Sequence, residues 1–201
     1  MPKTNDPSWS LSPAFDDALK FASASHRGQM RKGTSTPYIA HPLGVASIAM
    51  EFGAAEAQAI AALLHDTMED CGVTRAEIER RFGPDVARIV ADCTDSTTHP
   101  KPPWKARKEK YIAHVATVKP DVLLVSAADK LHNARAIVRD VRNDGKGVWK
   151  RFSQDPDKVV WYYRSLLKEF SARRKEAAPG FALLLRELES EIEAMDELAR
   201  G

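Results

Sequence analysis

Residues 62–70, which read ALLHDTMED, place one histidine and three carboxylates directly behind an apolar run. His65 and Asp66 follow the apolar residues, and Glu69 and Asp70 come one helical turn later. Charged groups are almost never buried without a partner, so a stretch that looks buried must offset these charges. A divalent metal ion is one partner that would do so, and such an ion also lowers the pKa of a bound water molecule. The stretch therefore favours a metal centre that activates water.

The spacing of these four residues suits such a centre if the segment is one helix. Residues four apart share a helix face, which places His65 over Glu69 and Asp66 over Asp70. The two carboxylates would then lie one turn, about 5.4 Å, along the axis from the His–Asp pair. At that distance the first pair would bind an ion, and the second pair would orient or deprotonate a water molecule beside it.

Two further polar residues stand where apolar residues are expected. His41 starts a helix, and Asp129 interrupts the apolar stripe of residues 121–141. With His65 and Asp66 they give two imidazoles and two carboxylates, a set that suits Mn, Fe or Zn better than Ca. The alternative interpretation is a buried His–Asp hydrogen bond that ties two helices together without an ion.

The elements that must position these residues are helices, because apolar residues recur at helical spacing and no region shows sustained alternation with period two. The pattern predicts helices over residues 14–28, 42–52, 54–70, 75–82, 84–93, around 111–115, 121–141, 158–174 and 180–199. Loops are predicted over RGQMRKGTSTPYIAHP after the first helix, over the Pro-rich segment 96–105 and over residues 142–157. The length of the first loop is typical of functional loops. We therefore predict an all-α fold with a single domain over residues 14–201, preceded by a tail of residues 1–13.

Composition places the chain among soluble globular proteins. Its 201 residues include 30 Lys and Arg and 28 Asp and Glu, so the formal charge of +2 gives no bulk attraction for nucleic acid. The two cysteines, Cys71 and Cys93, are too few for a disulfide framework and indicate free thiols in a reducing compartment. The first residues lack the apolar core of a signal peptide, and no stretch approaches the roughly 20 apolar residues that a membrane span needs. We predict a cytoplasmic protein that binds neither nucleic acid nor a membrane.

Four motifs carry a resemblance to a known family. HPLGVASIAMEFG, AALLHDTMED, RRFGPDVARIVADCTD and AADKLHNAR occur in this order across most of residues 14–140. Together they resemble the HD-domain hydrolases of the RelA/SpoT group, in particular the small stand-alone alarmone hydrolases. The resemblance extends over residues 14–172. It implies an all-α HD fold that binds one Mn²⁺ ion and acts on a small-molecule nucleotide, removing the 3′-pyrophosphate of (p)ppGpp.

The resemblance also implies roles for individual residues, matched motif by motif. The implied metal ligands are His41, His65, Asp66 and Asp129. The implied catalytic pair is Glu69 and Asp70. The implied substrate contacts are Arg31, Lys32, Asn133 and Tyr162.

Other functions stay open at this point. The loop RKGTSTPYIAHP departs from the RKSGEPYI type of the long relatives, so guanosine and adenosine alarmones are both candidate substrates. A phosphatase acting on NADPH, a general HD nucleotidase and a non-catalytic alarmone-binding module are the alternatives. The run KPPWKARKEK, residues 101–110, contains five basic residues and is predicted to be a solvated face, with phosphate steering or nucleic-acid binding as the alternative.

The last predicted helix carries an apolar seam at alternating spacings of four and three. The seam consists of Phe181, Leu185, Leu188, Ile192, Met195 and Ala199. Docking of this seam on its own domain is the first interpretation. Pairing with a second copy in a homodimer is the alternative.

Overall fold

The computed structural model describes residues 11–96, 100 and 102–201. Within these residues the chain forms ten α-helices and one 3-10 helix, and β pairing is confined to an isolated bridge between Met30 and Pro37. The helices are α1 (Pro13–Ser25), α2 (Ala40–Glu51), α3 (Glu56–Leu64), α4 (Thr67–Asp70), α5 (Arg75–Phe82), α6 (Pro84–Cys93), α7 (Trp104–Val115), α8 (Pro120–Asp144), the 3-10 helix (Lys146–Arg151), α9 (Pro156–Ala172) and α10 (Phe181–Arg200). The prediction of an all-α fold is confirmed.

Helix α8 is the central element of the fold. It begins at Pro120, whose fixed φ suits the first helical turn, and it ends before Gly145, which adopts a φ of 76°. The helix packs against α2, α3, α6 and α10, so its apolar residues lie in the core on several sides. Because Asp129 lies in the middle of this buried helix, a rigid element carries its carboxylate into the interior.

The segment predicted as one helix over residues 54–70 is two helices, α3 and α4, separated by a turn at His65 and Asp66. Neighbouring residues on an unbroken helix point about 100° apart. Here Nε2 of His65 and Oδ2 of Asp66 lie only 3.0 Å apart. The prediction of a continuous helix is therefore wrong, and the turn brings both side chains to one point. The sequence hides this turn because alanine and leucine favour a helix on its N-terminal side.

The loop between α1 and α2 is ordered by its own backbone hydrogen bonds. The amide of Arg31 donates to the carbonyl of Thr36, and the amide of Tyr38 donates to the carbonyl of Gln29, both at 2.9 Å. Gly33 lies between them with a φ of 72°, a conformation that favours glycine. These bonds hold Arg31 and Tyr38 at the edge of the site described below.

Several other boundaries differ from the predictions; α1 ends at Ser25 instead of residue 28, and α7 begins at Trp104, inside the predicted Pro-rich loop. Helix α2 begins at Ala40, so His41 lies in its first turn. The predicted loop over residues 142–157 contains the end of α8, the 3-10 helix and the start of α9. This stretch resembles a loop in sequence because it contains two glycines, which disfavour a helix, and Pro156. In the structure Pro156 starts a helix. Residues 97–99 and 101 of the predicted Pro-rich loop lie outside the described residues, as do residues 1–10 of the predicted tail.

Helix α10 packs along α8 and α9. Five residues of its seam are buried there, namely Phe181, Leu185, Leu188, Ile192 and Met195. The seam therefore docks on its own domain. The homodimer and the division into a tail and one domain stay predictions. Within the part of the chain that is described, no helix is both long and apolar enough to cross a membrane.

Candidate active site

Four side chains converge at one point, which we call the donor cluster: His41 of α2, His65 and Asp66 of the turn after α3, and Asp129 of α8. Nε2 of His41 lies 3.2 Å from Nε2 of His65 and 3.1 Å from Oδ1 of Asp129. Oδ2 of Asp66 lies 3.0 Å from Nε2 of His65 and 3.4 Å from Nε2 of His41. Both histidines are buried, with exposed fractions of 1% for His41 and 3% for His65.

The atoms of His41, His65 and Asp66 fit one divalent cation, and Asp129 lies beside them. Ligand atoms bound at about 2.0–2.2 Å from a shared ion lie roughly 3 Å or slightly more from one another. His41, His65 and Asp66 bring three donor atoms together in this way, and Oδ1 of Asp129 lies 3.1 Å and 3.6 Å from the two histidine nitrogens. Two imidazole nitrogens and two carboxylate oxygens are a suitable set for Mn²⁺, Fe²⁺ or Zn²⁺.

Each histidine of the donor cluster has a hydrogen bond at its other ring nitrogen. Nδ1 of His65 lies 2.8 Å from the carbonyl oxygen of Ala62, which can only accept a hydrogen bond. His65 must therefore donate from Nδ1, and its Nε2 lone pair faces the cluster. Nδ1 of His41 lies 2.9 Å from Nδ1 of His132. If His41 donates in this pair, its Nε2 lone pair also faces the cluster.

His132 can occupy its position because residue 44 is glycine. A Cβ atom on Gly44 would lie 2.2 Å from Cδ2 and 2.3 Å from Nε2 of His132. Burial and the neighbouring His41 lower the pKa of His132 to about 4. The ring of His132 is therefore neutral at pH 7, as it must be to accept a hydrogen bond from His41.

The two carboxylates of the cluster are also oriented by neighbours. The hydroxyl of Tyr38 donates to Oδ2 of Asp66 at 2.7 Å. Asn133 donates from Nδ2 to Oδ1 of Asp129 at 2.6 Å, and Lys130 donates from Nζ to Oδ2 of Asp129 at 2.5 Å. Such supporting hydrogen bonds fix ligand orientation before an ion binds.

The electrostatics of the cluster favour ionised carboxylates. Burial would raise the pKa of Asp66, but His65 and His41 outweigh it and hold the pKa well below the ordinary value. Burial likewise opposes ionisation of Asp129, and Lys130 with the two histidines holds the pKa of Asp129 well below its ordinary value. Burial disfavours the charged form of His65, yet Asp66 and Asp129 raise the pKa of His65 well above its ordinary value. A cation would replace that proton, because a histidine ligand must be neutral.

The predicted catalytic pair divides between two environments. Glu69 is half-buried beside the donor cluster, and its Oε2 accepts a hydrogen bond from the amide of Asp95 at 3.3 Å. Asp70 is exposed, and its Oδ2 accepts a hydrogen bond from Nε2 of Gln29 at 3.3 Å. Glu69 therefore faces the cleft, whereas Asp70 holds the loop between α1 and α2. The catalytic roles of both residues stay predictions.

Two pockets meet at the donor cluster, and Arg31, Tyr38, His41 and Asn133 line both. The inner pocket has a volume of about 300 Å³ and a predominantly polar lining, which includes Glu69, Asp95, Arg107, Lys108, Lys130 and Tyr162. The outer pocket has a volume of about 360 Å³ and a mixed lining, which includes Lys32, Thr34, Ile137, Val148, Arg151 and Phe152.

The four predicted substrate contacts all line these pockets, and their binding roles stay predictions. Arg31 donates from Nη2 to Oδ1 of Asn133 at 2.8 Å, so these two residues form a bridge between the pockets. Lys32 is exposed and lines the outer pocket. Tyr162 is buried and lines the inner pocket, and its hydroxyl has no hydrogen-bond partner among the described residues.

Two cations of helix α7 also line the inner pocket. Arg107 and Lys108 belong to the run predicted as a solvated face, yet their side chains are only 15% and 17% exposed and line the inner pocket. For these two residues that prediction is wrong. The available signal is spacing: they lie three and four residues after Trp104 and one turn before Tyr111, on the face that α7 turns inward. Tyr38, Lys130 and His132 were also missed as supports of the cluster.

The chain matches a known protein family. Residues 18–155 match the family described as HD domain, and this range contains the whole donor cluster. The chain belongs to the HD-domain family. The histidine and aspartate that are adjacent in sequence, His65 and Asp66, both belong to the donor cluster within this range.

Several relatives of this HD-domain chain bear the name of one activity. The guanosine-3′,5′-bis(diphosphate) 3′-pyrophosphohydrolase MESH1 of Xenopus tropicalis is 44% identical over 126 residues, which are 61% of this chain and 69% of the relative. The Homo sapiens protein of the same name is 43% identical over the same shares of the two chains. A guanosine-3′,5′-bis(diphosphate) 3′-pyrophosphohydrolase of Aquifex aeolicus is 38% identical over 120 residues, which are 60% of this chain and 17% of the relative.

Solved structures resemble the HD-domain chain as well. One, described as a metazoan ortholog of SpoT that hydrolyses ppGpp and plays a role in starvation responses, matches with a TM-score of 0.73 and 28% identity. The match covers 90% of this chain and 97% of that one. A structure from Listeria monocytogenes EGD-e matches with a TM-score of 0.65 and 31% identity, over 76% of this chain and 99% of that one. The resemblance to the RelA/SpoT group is thereby confirmed.

Proposed function

We propose that this HD-domain protein is a metal-dependent hydrolase that removes the 3′-pyrophosphate of a guanosine alarmone such as ppGpp. The observation that carries the proposal is the donor cluster at the junction of two pockets, one lined mainly by charged groups and one partly apolar. A nucleotide with phosphate groups beside its ribose presents both kinds of surface. Relatives that are 38–44% identical bear the name of this activity.

We propose Mn²⁺ as the ion, held by His41, His65, Asp66 and Asp129. The mixed nitrogen and oxygen donors suit Mn²⁺, and they suit Fe²⁺ and Zn²⁺ as well. The likeness to the RelA/SpoT-group hydrolases favours Mn²⁺ among the three. When bound, such an ion lowers the pKa of water and offsets phosphate charge.

The chemical step consumes one water molecule. The water oxygen forms a bond to the phosphorus attached to the 3′-oxygen, and the bond between that phosphorus and the 3′-oxygen breaks. The 3′-oxygen takes up a proton from solvent and leaves as a hydroxyl group, and the proton that the water loses passes through Glu69 to solvent. Glu69 lines the inner pocket beside Asp66, where its carboxylate accepts the proton that the water loses. The amide of Asp95 orients Glu69 for this transfer.

The bridge between the pockets positions the nucleotide. Arg31 offers a planar guanidinium group that can bind phosphate or stack on a base, and its bond to Asn133 fixes that plane. Lys32 adds an exposed positive charge at the outer pocket. Apolar groups of Ile137, Val148 and Phe152 make the outer pocket suitable for a nucleoside.

Product identification tests the proposal. The metal-loaded protein is incubated separately with ppGpp, pppApp, NADPH and dGTP, and phosphorus NMR identifies the products; a sample treated with chelator is the control. Pyrophosphate released from ppGpp only in the metal-loaded sample is the expected result. Orthophosphate from NADPH, a product from dGTP, or turnover of pppApp alone would contradict it. Binding of ppGpp without any product would support the alternative of a non-catalytic alarmone-binding module. Turnover restored by Zn²⁺ or Fe²⁺ and not by Mn²⁺ would contradict the choice of ion.

A further inference from the structure

The loop that carries Arg31, which we call the Arg31 loop, consists of residues 31–38 and lies on the surface of the protein. All eight residues are exposed or half-buried, so none of them is anchored in the hydrophobic core. A segment with few buried contacts opens at a low free-energy cost, and its position depends on individual contacts. Under the proposed function Arg31 must nevertheless hold a defined place between the two pockets.

Helix α8 supports the Arg31 loop at two points, and Asn133 is the first. Nη2 of Arg31 donates to Oδ1 of Asn133 at 2.8 Å. This bond fixes the end of a long side chain. The backbone turn is closed separately, since the amide of Thr34 donates to the carbonyl of Arg31 at 3.0 Å. Because a long side chain is flexible, the turn that carries Arg31 needs a support of its own.

Arg151, the last residue of the 3-10 helix, supplies the second point. Its side chain lies across Gly33, since a Cβ atom on Gly33 would lie 2.7 Å from Cδ and 3.0 Å from Cγ of Arg151. The φ of 72° at Gly33 independently favours glycine. The Arg31 loop and Arg151 therefore touch at a position that excludes other residues for two separate reasons.

Both ends of the Arg151 side chain are held in place. Nη1 donates to Oδ2 of Asp140 at 3.2 Å, and Nη2 donates to Oδ2 of Asp144 at 3.0 Å. The backbone of the 3-10 helix is anchored in the core by Trp149, which is buried. The stem of Arg151 between these two anchors is therefore a fixed surface against which Gly33 packs.

The two supports lie on one face of α8. Asn133 and Asp140 are seven residues apart, which is two helical turns or about 10.5 Å along the axis. A loop held at two separated points cannot swing about either of them. The outer pocket is lined by residues from both supports, among them Arg31, Asn133 and Arg151.

We propose that Arg151 is a positioning residue, whose side chain clamps Gly33 against α8 and thereby holds the Arg31 guanidinium group on Asn133. The inference rests on the proposed function, in which Arg31 binds the nucleotide. Two carboxylates already bind the guanidinium group of Arg151, so this residue acts through the Arg31 loop and not on the substrate.

Hydrogen exchange tests the clamp without any substrate. The full chain is loaded with Mn²⁺, and mass spectrometry follows deuterium uptake over residues 29–38, which include the hydrogen-bonded amides of Arg31 and Tyr38. Arg151→Ala should raise the exchange rate of this segment about tenfold, because the loop loses one of two supports. The matched control is Lys150→Ala, which removes an exposed charge from the same 3-10 helix and should exchange like wild type.

Steady-state kinetics test whether the clamp positions Arg31. With ppGpp as substrate, Arg151→Ala should raise KM about tenfold and leave kcat and bound Mn²⁺ within about twofold of wild type, because the groups at the donor cluster are untouched. Faster exchange with an unchanged KM would overturn the positioning role. A wild type that does not hydrolyse ppGpp would contradict the proposed function instead, and the exchange rates would then decide on the clamp alone.

Gly33→Ala separates the clamp from a general loss of stability. In wild type the new Cβ would displace Arg151 and the φ of 72° disfavours alanine, whereas in Arg151→Ala only the second effect remains. Gly33→Ala should therefore raise the exchange rate more in the wild-type background than in Arg151→Ala. Equal increases in both backgrounds, or wild-type exchange in Arg151→Ala, would overturn the inference.

Asp144→Asn provides a second test if Arg151→Ala folds poorly. The carboxylate of Asp144 is 56% exposed, so its loss leaves the core intact and removes one of the two ion pairs of Arg151. Exchange over residues 29–38 should rise about two- to threefold, since exposed ion pairs contribute little individually. Exchange equal to that of wild type would show that the ion pair with Asp144 does not hold Arg151, which overturns the clamp as drawn.

Discussion

The donor cluster and the inner pocket lie side by side but are held in different ways. In the cluster, helices and a turn fix four side chains. Hydrogen bonds with neutral partners orient them: the Tyr38 hydroxyl donates to Asp66, and the Ala62 carbonyl accepts from His65. In the inner pocket, ion pairs fix the side chains: the carboxylate of Asp95 binds both Arg107 and Lys108. The first arrangement is rigid before a ligand arrives, as metal binding requires. The second arrangement suits the proposed function, in which phosphate oxygens would replace the carboxylate of Asp95 as partners of the two cations.

Replacing one carboxylate of the donor cluster should produce the largest effect on metal binding and turnover. It tests the cluster separately from the inner pocket. Asp66→Asn keeps the shape of the side chain but loses its negative charge, so Mn²⁺ affinity should fall by more than about a hundredfold and turnover should become undetectable. Elemental analysis after dialysis and an activity assay measure the two effects. Asp85→Asn is the matched control, because its carboxylate is 78% exposed on α6. Full metal content in Asp66→Asn would show that the cluster does not depend on this ligand.

Glu69→Gln tests whether the proton acceptor is distinct from the metal ligands. Glutamine keeps the acceptor oxygen for the amide of Asp95 but does not take up a proton at neutral pH, so kcat should fall by about a hundredfold or more. Metal content should stay at one ion per chain. Unchanged kcat would contradict the proposed role of Glu69. Loss of the ion would show that Glu69 is itself a metal ligand.

Gly44→Ala should lower the metal affinity of the donor cluster indirectly, because it displaces His132. Alanine favours a helix interior by roughly 0.5–1 kcal/mol, but its Cβ would displace His132 and remove the hydrogen bond to His41. Loss of such a supporting bond costs about tenfold to a hundredfold in metal affinity. Calorimetric titration with Mn²⁺ measures this loss, and Ser47→Ala, at an exposed position of the same helix, is the control. Equal affinity in Gly44→Ala and wild type would show that His132 does not orient His41.

The cluster was more predictable from the sequence than the pocket, for a physical reason. His41 and Asp129 interrupt apolar helical stripes, and a polar residue in such a stripe is visible without knowledge of the fold. The turn at His65 was not visible, because alanine and leucine before it favour a helix. Arg107 and Lys108 were missed because five basic residues in a run indicate a solvated face, whereas which of them point inward depends on how α7 packs against α9.

The smallest predicted effect is a pH-dependent one at Asp95. Burial would raise the pKa of Asp95, but Lys108 and Arg107 outweigh burial and hold it below the ordinary value. A carboxyl group whose pKa is lower in the folded state adds stability above its unfolded pKa of about 4, and this contribution is lost as the pH falls through the folded value. Asp95→Asn should therefore be less stable than wild type by about 1 kcal/mol at neutral pH. The difference should shrink as the pH falls below about 4, because wild type then loses a contribution that the variant lacks. Urea unfolding of both metal-free proteins at several pH values measures the difference in the free energy of unfolding. A difference that stays constant into the acid range would show that the ion pairs of Asp95 do not stabilise the fold. Ligand binding would then be their role.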